Sequence, residues 1–195
     1  MKHLTTRELA LCSLFAALIA IGAFLQIPLP NFDYFTLQFF FVLMAGMLLG
    51  ARLGSLSAAL YVITGLIGIP VFAAGGGISY VLRPSFGFLI GFIVTAFCSG
   101  WIMEHGQRNW KTCFLAALAG LLATYGIGLA YKYFLLNYYT GTGISVYLLL
   151  LSCFPLDLPG DILFSVLAAY AALRFPAAAV RDIKRGKLYV KRIQK

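Results

Sequence analysis

Charge is the scarcest property of this sequence. Asp, Glu, Lys and Arg make up 11% of its 195 residues, with 6 acidic side chains and 2 histidines in all. Soluble domains carry roughly 25% charged residues, so a water-soluble domain is excluded. A disordered chain, a coiled coil and a nucleic-acid-binding domain go with it. Cysteine is sparse as well: Cys12, Cys98, Cys113 and Cys153 stand singly in apolar segments without metal-ligand spacing, the pattern of buried free thiols. No Gly-Lys-Ser/Thr follows the one glycine run, at Gly75-Gly76-Gly77, so the chain has no phosphate-gripping loop of its own.

What the sequence does hold is apolar length. Hydrophobic residues reach 62% and the mean hydropathy is +0.92. A bilayer core needs about 20 apolar residues per helix, so six spans would use about 120 positions. Six segments separate: Leu9–Leu29, Phe35–Leu49, Gly54–Ile69, Ser85–Met103, Thr112–Leu136 and Ile144–Leu173. They are continuously apolar, without the alternation of a lipid-facing strand, so the expected fold is an all-α membrane protein of six transmembrane helices. The first segment is too long for a leader's hydrophobic region and lacks a small-residue cleavage site, so it is kept as a span.

The charges orient this arrangement. With both termini cytoplasmic, 13 of the 15 basic residues fall inside, all except Arg83 and Lys132, as the positive-inside rule requires. The formal charge of +9 then reads as topology. The expectation is one membrane domain over residues 1–195, in the cell membrane, with a basic tail at about 176–195 lying against the anionic inner leaflet.

Two places break the helical pattern. Pro70 to Tyr80 holds the three glycines, which admit backbone conformations closed to other residues and let a ligand approach the main chain. Pro155-Leu156-Asp157-Leu158-Pro159-Gly160-Asp161 interrupts the sixth segment. Broken helices at membrane depth line cavities and mark substrate sites in transporters. Apart from the charges placed on the cytoplasmic side, the ionisable residues are Asp33, Arg83, Lys132, Asp157 and Asp161, and all map to the outer half. Asp33 could simply meet water there. With Asp157 onward helical, Asp157, Asp161 and Phe164 share one face, and Pro159 is tolerable in the first turn. The paired acids could serve acid–base or metal chemistry, but no His or Cys stands beside them; His3 and His105 are on the other side. Arg83 and Lys132 could receive a substrate carboxylate or form internal ion pairs. In the first helix Ala16-x-x-x-Ala20, with Ser13-x-x-x-Ala17 beside it, makes a small-residue face for a neighbouring helix, inside the chain or in a partner.

Several motifs together resemble the BioY biotin-transporter family. They are Thr36-Leu37-Gln38 after a Pro-x-Pro stretch, Gly46 through Gly54, Tyr61 through Gly77, Pro84 through Phe92, and Leu158-Pro159-Gly160-Asp161. The likeness runs in one order over about residues 9–173. It implies a capture subunit, not an enzyme, that takes biotin from outside and works with a transmembrane coupling subunit and ATPase subunits. ATP would be used only by those partners, and the capture subunit would need no cofactor or metal. The first-helix small-residue motif, Ala16 and Ala20, would meet the coupling subunit.

The residues expected at the ligand are Gly75, Gly76, Ser79, Tyr80, Arg83, Phe86, Lys132, Asp157, Asp161 and Phe164. Phe32, Tyr34 and Phe72 are further aromatic walls. Family members often carry a lysine one turn after the Pro-Gly-Asp aspartate, where this chain has Phe164, so Arg83 or Lys132 would supply the cation. The alternatives are capture of a different small vitamin, which Phe164 favours, or a small membrane enzyme using Asp157 and Asp161.

Overall fold

The structure, a computed structural model, describes residues 4–27, 35–153 and 157–175. Phe32, Asp33, Tyr34 and the basic tail lie outside the described residues. Helix α1 (Thr6–Phe24) opens on a capping box: Glu8 N donates to Thr5 Oγ1 at 3.3 Å and Thr5 N donates to Glu8 Oε2 at 2.8 Å, satisfying amides that have no partner within the helix. It is followed by β1 (Gln26–Ile27), which pairs antiparallel with β2 (Phe35–Thr36), Gln26 opposite Thr36. Residues 35–36, expected to begin the second span, are therefore strand, and the helix starts at Gln38, three residues after the expected start. Two-residue strands carry no readable period, and the run from Phe35 is apolar on either assignment.

Helix α2 (Gln38–Leu49) turns sharply into α3 (Ala51–Leu66) at Gly50, whose φ of 88° lies in the region that glycine enters at little cost. A short 3-10 turn (Ile78–Leu82) precedes α4 (Phe86–His105). Helix α5 (Trp110–Phe134), capped by Asn109 Oδ1 accepting from Thr112 N at 2.8 Å, continues as a π-helical turn to Tyr139. Helices α6 (Val146–Cys153) and α7 (Asp157–Arg174) complete the described chain. Residues 154–156, where the expected interruption of the sixth segment begins, lie outside the described residues, and from Asp157 the chain is helical. Pro159 and Gly160 sit in the first turn of α7, where a missing amide proton costs nothing.

Among the described residues, Thr6–Phe24, Phe86–His105 and Trp110–Tyr139 are long and apolar enough to cross a membrane, with α2 and α3 as shorter apolar helices. Helix α2 is the centre of the core. Ten of its twelve residues are buried, and it packs against α1, α3, α4 and α7. An all-round apolar helix is the composition such a position demands. Helices α4 and α5 pack most closely, with Gly91 against the Thr124 backbone and Gly120 against Leu43 and Thr95. Thr95 Oγ1 donates to the Gly120 carbonyl at 2.8 Å and lies 2.6 Å from Thr124 Oγ1, so the buried hydroxyls are satisfied.

One end of the bundle is sealed by the loop before α5. There Arg108 donates through Nη2 to the Ala172 carbonyl in the last turn of α7, a cation where the helix dipole is negative. Burial lowers the pKa of this guanidinium from its ordinary value. Of the four cysteines, Cys12 and Cys113 are buried free thiols and Cys98 is half-buried.

Candidate functional site

At the opposite end of the bundle is an open cavity of about 740 Å3, counted out to its mouth. Helix α7 contributes Asp157 and Asp161, one turn apart on the same face, and α5 contributes Tyr125 and Lys132, two turns apart on theirs. Tyr125 Oη donates to Asp161 Oδ2 at 2.9 Å, fixing which way that carboxyl group points. The Phe88 ring of α4 stands edge-on to Tyr125, centroids 5.8 Å apart at 85°. Phe35, Phe39, Leu89 and Phe92 complete apolar walls, while Ala73 and Tyr80 come from the loop after α3. Apolar walls with a few convergent polar groups are the general make-up of a small-molecule site.

Of the residues expected from sequence, Tyr80, Lys132, Asp157 and Asp161 meet in this cavity. Phe164 stands just behind it. Its ring stacks on Phe35, centroids 5.5 Å apart at 9°, and meets Phe40 edge-on at 6.3 Å. Phe86 is buried against Tyr131, centroids 5.8 Å apart, and Tyr131 Oη donates to the Val81 carbonyl. The structure does not bring Arg83 into the lining. Its guanidinium lies 5.2 Å from the Tyr80 ring centroid on an exposed side chain. Ser79 is exposed, and Gly75 and Gly76 are half-buried in the loop. That loop is tightly made: Phe72 N donates to Gly75 O at 2.9 Å, and Gly77 N donates to Gly65 O at 2.7 Å. A Cβ on Gly76 would strike the Ile69 carbonyl.

Sequence reasoning did not assign a site role to Gln38 or Tyr125. Gln38 is 4% exposed and lines the cavity; a lone amide in the run from Phe35 to Leu49 is the signal that would have found it, since polar groups at membrane depth need a partner. Tyr125 has no such signal, because tyrosine is common in apolar helices. On α1, Ala16 is buried within the chain, Ala20 is half-buried, and Ser13 and Ala17 are exposed.

Residues 1–181 match the sequence model of the BioY family. The chain is similar to a protein of Lysinibacillus sphaericus named probable biotin transporter BioY, 45% identical over 138 residues, which are 70% of each chain. It is also similar to a biotin transporter BioY of Rhizobium etli, 34% identical over 181 residues covering 85% of this chain and 91% of that one. Among solved structures it resembles the S-component for biotin from an ECF-type ABC transporter. The TM-score is 0.75 at 26% identity, over 88% of this chain and 94% of the other.

Proposed function

The chain belongs to the BioY family, and from that premise we propose that it is the substrate-capture component of a biotin uptake transporter in the cell membrane. The observation that carries the ligand assignment is the cavity itself, with two carboxylates, a lysine and aromatic walls gathered at one end of the bundle. Biotin has a urea head with N–H donors, an apolar bicycle and chain, and a terminal carboxylate. Asp161 and Asp157 would accept from the urea, the aromatic walls would cover the apolar body, and Lys132 would meet the carboxylate as a point charge. Lys132 is preferred to Arg83 because it lines the cavity. Relatives of this chain are named transporters, and the reading of Asp157 and Asp161 as an enzyme's acid–base pair is set aside.

In this reading the six spans are α1 to α5 and the α6–α7 pair, with both termini on the cytoplasmic side. Charge supports it: among the described residues Arg7, Arg52, Arg108, Lys111 and Arg174 fall at the sealed end, and Arg83 and Lys132 at the cavity end. By the positive-inside rule that distribution supports a cavity open to the outside. Release inside would be driven by a coupling subunit and by ATPase subunits, the only users of ATP. The first-helix contact with the coupling subunit would use the open residues Ser13 and Ala17 with the edge of Ala20, Ala16 being packed internally.

Biotin binding to the purified chain in detergent, with mass spectrometry of whatever co-purifies, tests the proposal. Saturable one-to-one binding of biotin, competed by desthiobiotin and not by an unrelated vitamin, is expected. A different co-purified vitamin would overturn the ligand.

A further inference from the structure

A chain of buried and part-buried contacts leads from one side of the cavity lining to another. Gln38, at the start of α2, lines the cavity. Its Oε1 accepts from Thr36 Oγ1 at 3.0 Å and its Nε2 donates to Tyr61 Oη at 2.6 Å. Tyr61, in α3 and 1% exposed, donates in turn to the Val71 carbonyl at 3.2 Å, in the loop after that helix. The Tyr61 ring packs edge-on against Phe72, centroids 5.5 Å apart, and Phe72 packs on Tyr80 at 4.5 Å. Tyr80 is back in the cavity wall. Phe72 is 1% exposed and occupies the space over Gly65 that any side chain there would fill.

From this circuit we infer that Gln38 and Tyr61 are positioning residues that pin the loop over residues 71–82 as a wall of the cavity, and so set how long a ligand stays bound. The inference deepens the biotin reading and rests on it for its ligand, but the state of the loop is a property of the empty protein. At Tyr61 Oη the hydrogen bond from Gln38 is buried and the one to the Val71 carbonyl partly so, and a buried group that loses its partner is penalised in full. The circuit also joins α2, α3 and the loop, which local sequence does not hold together.

The test is Tyr61→Phe in the full chain, which keeps the ring against Phe72 and removes only the hydroxyl. Hydrogen exchange of peptides covering 71–82 should quicken about tenfold in the ligand-free protein while α4 and α5 stay unchanged. Biotin dissociation should quicken by about the same factor with little change in association. Gln38→Leu should loosen the loop less, because Tyr61 still donates to Val71. Ser57→Ala, which removes a fully buried hydroxyl one turn earlier on α3 that donates to Leu53 O at 2.8 Å, should leave the loop unchanged. Unaltered loop exchange in Tyr61→Phe, or equal loosening in Ser57→Ala, overturns the inference. Absence of biotin binding by the unmutated chain overturns the ligand instead, and the exchange result still decides the circuit.

Discussion

Asp161 and Lys132 divide the work expected of the cavity. Asp161 is oriented by the Tyr125 hydroxyl at 2.9 Å, and hydrogen bonds to charged groups contribute about 1.5–3 kcal/mol. Asp161→Asn should therefore weaken biotin binding about ten- to a hundredfold in a calorimetric or radioligand assay. Tyr125→Phe, which removes the orienting bond and leaves the carboxylate, should cost a few-fold. Lys132→Ala should weaken binding about tenfold or more, and Arg83→Ala should leave it within about threefold; the reverse order would place the cation on Arg83. That Asp161 would stand in a cavity wall was legible from its place after Pro159-Gly160, two helix breakers in an apolar segment. The placing of Lys132 in the lining was legible in part, because it and Arg83 were the two cations assigned to the outer side, and the structure brings Lys132 and not Arg83 to the cavity. Gln38 pairing with Tyr61, 23 positions away, was not: that contact exists only after α2 and α3 fold back at Gly50, and nothing local encodes it.

At the scale of elements, the helices were legible because hydrophobic runs of this length have one solution in a bilayer. Their ends were less so. The β1–β2 pair hides inside apolar sequence, and the first turn of α7 was found only because proline tolerates a helix's opening positions. Packing between elements depends on glycines that sequence alone does not rank. A Cβ on Gly100 would strike the backbone of Gly50 and Ala51 at the α2–α3 turn. Gly126, by contrast, lies mid-helix in α5 with nothing within 4 Å of its notional Cβ. Gly100→Ala should destabilise the protein by about 1–3 kcal/mol, as overpacking does. Gly126→Ala should be neutral or stabilising by up to about 1 kcal/mol. Thermal unfolding in detergent reads both, and a loss at Gly126 equal to that at Gly100 would contradict this packing.

For the whole molecule, the separation of Arg7, Arg52, Arg108, Lys111 and Arg174 from Arg83 and Lys132 predicts orientation. Arg52→Cys and Lys111→Cys, in a background without other cysteines, should react with a membrane-impermeant maleimide only in inside-out vesicles. Arg83→Cys should react in intact cells, and the opposite pattern would turn the cavity to the cytoplasm. The order of the cavity's lining along the chain, from Phe35 in β2 to Asp161 in α7, has a consequence during synthesis. The site is complete only when α7 has docked, so a nascent chain still short of α7 has a core to build on but lacks both carboxylates of the cavity. Occupancy is therefore a reporter of finished insertion. Ligand present as the chain emerges favours the fully assembled state over every shorter intermediate, by the mass-action gain that any ligand of the native state confers.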